Sequence, residues 1–174
     1  MLKMLIKRNV KLFFKDKGMF LTSLITPVIL LVLYATFLKN VYEDSFTANL
    51  PAAFALEQKL IDGLVGGQLI SSILAVSCVT VAFCANFLMV QDKANGTIKD
   101  LTVSPVKPHV MSLGYYAATF VSTLIVCLSA TAICLIYALI VGWYMSVLDV
   151  LLIVIDVILL CLFGVALSSV VNFF

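Results

Sequence analysis

The sequence predicts an all-α membrane protein: polytopic transmembrane helices preceded by an in-plane amphipathic N-terminal helix. Three observations carry that prediction. Of 174 residues, 63% are apolar and only 11% are charged, with 11 Lys or Arg against 9 Asp or Glu. A soluble domain carries roughly a quarter charged residues, so this chain cannot cover a water-facing surface. The charges are also clustered, leaving uncharged runs between Lys17 and Lys39, between Asp62 and Asp92, and between His109 and Asp149. A helix crosses the hydrocarbon core with roughly 20 apolar residues, and each run is long enough. Finally, the in–out alternation expected of barrel strands is absent. A soluble enzyme, a disordered tail and a nucleic-acid binder are excluded, since a net charge of +2 offers no basic face for phosphates.

Residues 1–17 form the first element. Lys3, Lys7, Lys11 and Lys15 recur every fourth residue with Arg8 beside them, while Leu2, Leu5, Ile6, Val10, Leu12 and Phe13 fall largely on the opposite side. Such a helix lies in the membrane plane, lysines towards the headgroups. It reads either as a plain positive anchor or as an elbow that transmits force from a partner.

Four spans follow, at 18–38, 66–90, 111–141 and 147–171, the last two separated at Gly142 and Trp143. The first is too long for a signal peptide, and Tyr34 to Lys39 lacks a small-x-small cleavage site. The segment before the first span and the loop after the second hold nine basic residues; the remaining loops hold two, Lys39 and Lys59. Basic loops stay cytoplasmic, so the expected topology is a multi-pass cell-membrane protein with its N-terminus inside. The outer loop, Lys39 to Val65, is acidic and broken at Pro51, with a short amphipathic helix expected over Ala52 to Leu64. It reads as a connector or as a cap over an exit path.

The inner loop, 91–109, is more punctuated. Asn95-Gly96 signals a turn, Thr97 caps a short helix with Asp100 three residues on, and Pro105 and Pro108 end it. Asn95-Gly96-Thr97 matches a glycosylation acceptor, but the topology places it inside the cell. Ile98, Leu101 and Thr102 stand at the i, i+3, i+4 spacing of a docking face.

The chemistry-bearing residues are few. Cys78, Cys84, Cys127, Cys134 and Cys161 all lie inside spans without CxxC spacing, and they read as packing residues, not as disulfides or a zinc site. His109 is the only histidine and there is no GxxxxGK[ST] loop, so neither a Ser-His-Asp triad nor a P-loop is present. No catalytic, metal or cofactor site is expected. Gly114, Ala118 and Ser122, and again Gly164 and Ser168, form small-residue stripes suited to helix packing. Asp156 is costly inside a span. It reads as an intramembrane polar site, as one half of a pair completed elsewhere, or as a protonated carboxyl bonded to backbone.

Two motifs in order then give a resemblance. Arg8-Asn9-Val10-Lys11-Leu12-Phe13-Phe14-Lys15-Asp16-Lys17 leads into Thr26-Pro27-Val28-Ile29-Leu30; later, Asn95-Gly96-Thr97 precedes Leu101-Thr102-Val103-Ser104-Pro105-Val106. Over its whole length the chain resembles the permease subunit of type-2 ATP-binding-cassette (ABC) exporters of the multidrug and antibiotic efflux kind. The resemblance implies an ABC ATP-binding subunit as partner, with ATP bound there and no cofactor here, and a second permease copy or paralogue as dimer partner in the bilayer. It assigns the coupling helix to about Asn95 to Val103, with Asn95, Gly96, Thr97, Ile98, Leu101 and Thr102 as ATPase-coupling residues, and the connecting helix to residues 1–17. Permeases of that family have six spans where four are read here, so a truncated product or a fragment is expected. The alternatives are an ion-coupled secondary transporter using Asp156 and, more weakly, a membrane-embedded enzyme.

Overall fold

A computed structural model describes residues 2–38, 41, 45, 58–98, 103, 108–141 and 146–173. Helix α1 covers Leu2–Lys15; α2 covers Lys17–Leu33 and continues into a π-helical turn at Tyr34–Leu38. Helices α3 (Gln58–Ala94), α4 (Pro108–Val141) and α5 (Val147–Phe173) complete the chain. Among the described residues there is no strand, and four helices are long and apolar enough to cross a membrane.

Helices α1 and α2 meet at a corner made by Asp16. Its backbone is extended (φ −77°, ψ 99°), and its Oδ1 accepts from the Gly18 and Met19 amides at 2.9 and 3.3 Å. This is an N-cap: the carboxylate satisfies two amides that have no partner within the helix. Phe13, Phe14 and Phe20 stack edge-on and tilted across the corner, with ring centroids 5.3 and 5.6 Å apart. Pro27 is tolerated inside α2, as prolines often are in membrane helices.

Helix α3 is central. Its buried positions, Ile70, Ile73, Leu74, Ser77, Cys78, Val81 and Ala85, recur every three or four residues. The apolar ones among them form one buried cluster with Val126, Cys127 and Cys134 of α4 and Val157 and Cys161 of α5. Opposite faces, such as Leu21, Ile25, Val28 and Val32 on α2, are exposed and apolar, as a lipid-facing surface must be.

Small residues set the closest approaches. A Cβ at Gly164 would stand 3.2 Å from Ala82 Cβ and from the Cys78 carbonyl oxygen, so α5 seats on α3 there. A Cβ at Gly114 would overlap Leu5, which lies in the gap that the glycine leaves. Gly114 thus receives α1.

One expectation needs adjustment. The amphipathic segment over Ala52 to Leu64 is not a separate helix where it is described, because from Gln58 onward it forms the first turns of α3; residues 51–57 lie outside the described residues. Asp149, which the sequence shows only as the end of an uncharged run, caps the next helix. Its Oδ2 accepts from the Ser146 amide at 2.8 Å and closes the start of α5.

Candidate functional site

The helices alternate in direction, so α1, the start of α2, the end of α3, the start of α4 and the end of α5 share one end of the molecule. There, Asp92 lies in the last turn of α3 with only 7% of its surface exposed. A buried carboxylate is stable only when paired and hydrogen-bonded. Asp92 has both conditions met from other helices. Tyr115 of α4 donates its hydroxyl to Asp92 Oδ2 at 2.5 Å, and Arg8 of α1 donates Nη1 to the same oxygen at 3.3 Å. Arg8 Nη1 also donates to Asn9 Oδ1 at 2.9 Å, and Asn9 is itself buried. Three helices are thereby tied at one atom. We refer to this cluster as the latch.

Leu5 in the Gly114 gap lies one helical turn from Arg8, and Gly114 adjoins Tyr115, so steric fit holds α1 against α4 while the ion pair beside it holds α1 to α3. The four lysines Lys3, Lys7, Lys11 and Lys15 remain exposed. Beside the latch, a cleft of about 120 Å³ opens between α3, α4 and α5, lined by Asn86, Lys93, Ser112, Tyr115, Tyr116 and Ser169 among others. At its inner edge Asn86 Nδ2 donates to Ser168 Oγ at 3.2 Å, which joins α3 to α5.

The latch stands at the root of the loop singled out by sequence. Three residues beyond Asp92, α3 ends in a turn: the Asn95 amide bonds to the Gln91 carbonyl at 2.8 Å, the Gly96 amide to that of Lys93 at 3.2 Å. Gly96 takes φ +75°, the left-handed conformation that a glycine adopts without penalty. Thr97 and Ile98 are helical and half-buried, and Asn95 is exposed. Leu101 and Thr102 lie outside the described residues. Asp156 is exposed on α5.

The latch was not found by sequence reasoning, which left Asp92 in a loop and Arg8 in a stripe of lysines. A signal was present: Arg8 is the only arginine among the 11 basic residues, and arginine is the side chain suited to a partly buried ion pair. A second missed cluster lies at mid-span, where the sulfurs of Cys78, Cys127 and Cys161, one from each of α3, α4 and α5, are within 4.8 Å of one another.

Four long apolar helices with lipid-facing flanks and a polar knot at one end define a multi-pass helical membrane protein. The model of the ABC-2 type transporter family matches residues 1–174, and the chain belongs to that family. It is accordingly a membrane permease component of an ABC-type transporter. No curated protein and no solved structure matches the chain.

Proposed function

We propose that the chain forms the substrate pathway of an ATP-driven exporter and receives force from a separate ATP-binding subunit through the loop that follows α3. Its N-terminus and the 91–109 loop are cytoplasmic, and a second copy or a paralogue completes the pathway. Asn95, Gly96, Thr97, Ile98, Leu101 and Thr102 form the coupling segment, and α1 lies in the membrane plane with its lysines at the headgroups. Closure of the ATP-binding subunits pushes this segment and reorients the spans, which exposes the pathway alternately to the two sides.

The observation that supports this reading is the latch. A loop that only joined two spans would not need its root fixed by a buried carboxylate shared with two other helices. With Asp92 tied to Arg8 and Tyr115, a push on residues 95–103 moves the end of α3, the start of α4 and α1 as one body. The bias of nine basic residues against two supports the orientation.

The test is Leu101→Ala in the assembled transporter. Truncating a buried leucine costs roughly 2–5 kcal/mol in a tight core. A shallow docking face gives less, yet about 1.4 kcal/mol is already a tenfold loss of association. The variant is expected to insert normally and to lose both the ATPase subunit on purification and transport. Retention of the partner at the wild-type level would reduce the loop to a connector. External labelling of Lys99→Cys in intact cells, with the native cysteines replaced, would overturn the orientation.

A further inference from the structure

We propose that Cys78, Cys127 and Cys161 form a three-sulfur binding site for a soft monovalent metal ion of the Cu(I) or Ag(I) class. The three thiols come from three different spans, are each fully buried, and have their sulfurs mutually within 4.8 Å. An ion with metal–sulfur bonds of about 2.3 Å in trigonal geometry needs sulfurs about 4 Å apart, which that limit includes. The arrangement is held by packing: Gly164, one turn after Cys161, lets α5 seat directly against the Cys78 carbonyl.

Ligand number and charge select the ion. Zinc takes four ligands in tetrahedral geometry, and the described residues supply three sulfurs without a fourth metal-ligating His, Cys or carboxylate in the group. Soft thiolate donors favour Cu(I). Among the described residues the only charged side chain in the buried class is Asp92, engaged at the latch. No buried cation is therefore present among them to balance a site with surplus negative charge. A monovalent ion avoids the problem: one thiol loses its proton and bonds as thiolate, the other two bind through sulfur lone pairs, and the complex is neutral. One proton leaves for each ion bound, and no oxidant or reductant is consumed.

A second observation concerns the same layer. Ser77 Oγ and Thr123 Oγ1 are buried and have no hydrogen-bond partner. Ser77 adjoins Cys78 and Thr123 stands one turn before Cys127 on the same face of α4. An orphaned buried donor is costly, whereas a hydroxyl beside a newly formed thiolate has a charged acceptor to meet. Cys84 and Cys134 lie outside the cluster and serve as internal controls.

The experiment uses the whole chain, purified under reducing conditions in detergent. Because the thiols are sealed, Ag(I), which has no redox chemistry here, is supplied both to the folded protein and during refolding into micelles. One Ag(I) per chain, one proton released, and three sulfur neighbours in the X-ray absorption spectrum are expected. Removing a group that merely supports a metal ligand already costs about 10–100-fold. Loss of a ligand itself, in Cys161→Ala, should therefore weaken binding by more than about a hundredfold, while Cys84→Ala and Cys134→Ala leave it unchanged. If Cys161→Ala does not fold, the sulfur count on the unsubstituted protein still decides. The proposal is overturned by no stoichiometric binding under either condition, by fewer than three sulfurs, by binding that survives Cys161→Ala, or by Zn(II) bound as tightly as Ag(I).

Discussion

Two clusters that share α3 and α4 are buried for opposite reasons. At the latch, Asp92 is withdrawn from solvent because a hydroxyl from α4 and a guanidinium from α1 reach it. Half-way along the spans, Cys78, Cys127 and Cys161 are withdrawn because small side chains let three helices close over them. The latch depends on charge and on one arginine; the mid-span layer depends on volume. Its spans are positioned by packing, the main source of helix association in a membrane. α1, which is not among the four helices long and apolar enough to cross a membrane, needs a directional contact to fix its register. Perturbations at the latch should therefore change how α1 and the loop move together, and those at mid-span should change how the spans pack.

The largest effect is expected from Asp92→Ala. It leaves Arg8 and the Tyr115 hydroxyl without their shared acceptor. Removing one partner of a buried pair costs about 3–5 kcal/mol, and partial exposure of Arg8, whose side chain is 35% accessible, lowers this to about 2–3 kcal/mol. Tryptic cleavage within α1 should accelerate and transport should fall with the spans still inserted. Asp92→Asn, which keeps an acceptor for Tyr115, should do less damage. Equal protection of α1 in Asp92→Ala and the parent would show that the latch does not hold it.

Gly114→Ala comes next. The added methyl overlaps Leu5, and forcing atoms into a filled gap costs roughly 1–3 kcal/mol. The effect should be relieved by Leu5→Ala, because two residues in contact are not additive. Cleavage of α1 in the single and double variants measures it. Without rescue, α1 does not lie where the glycine admits it.

Much of the fold was legible in the sequence because it follows from run length. Three uncharged stretches and a fourth apolar one broken only by Asp149 and Asp156 give four long apolar helices, and the absence of alternation gives the helical class. The turn at Asn95-Gly96 was equally readable, since glycine serves at φ +75°. What escaped notice depends on register between helices. Asp92 reads as a loop residue until α3 is known to run to Ala94 and to carry it against Tyr115. The cysteine cluster escaped because metal-site spacing rules read ligands along one segment, and these three lie on three. Depth would have found them: the expected spans 66–90, 111–141 and 147–171 have midpoints near residues 78, 126 and 159, within two residues of Cys78, Cys127 and Cys161, whereas Cys84 and Cys134 are further off.

At mid-span, Gly164→Ala tests the packing side of the comparison. Its Cβ would stand 3.2 to 3.3 Å from Ala82 Cβ, the Cys78 carbonyl oxygen and Val79 Cα. Two of those are backbone atoms that cannot turn aside, so a loss of about 1–2 kcal/mol is expected from overpacking. Unfolding in detergent reports it. Cleavage of α1 should be unaffected, since the latch is formed by other contacts. If α1 loosens as well, the two regions form one cooperative unit and the contrast between them is too sharp.

The smallest effect is expected from Asp156→Asn, for a reason the other three make plain. Each of those residues touches another helix, whereas Asp156 is exposed and makes no hydrogen bond or ion pair to another described residue. Substitutions away from specific contacts usually change stability by no more than about 0.5 kcal/mol, so unfolding of the single chain should barely move. A carboxylate at that depth is nevertheless costly against lipid, on the order of 2.5–3.5 kcal/mol on insertion scales. Under the proposed function, the second copy or paralogue covers it in the assembled transporter, and the substitution acts on that contact. Under the proposed function, transport in sealed vesicles remains ATP-dependent in Asp156→Asn and at most changes its substrate range. Under proton coupling, a pH gradient alone drives transport in the parent and fails to do so in the variant. Gradient-driven transport without ATP, lost in Asp156→Asn, would move the functional centre from the latch to α5 and replace the proposed mechanism.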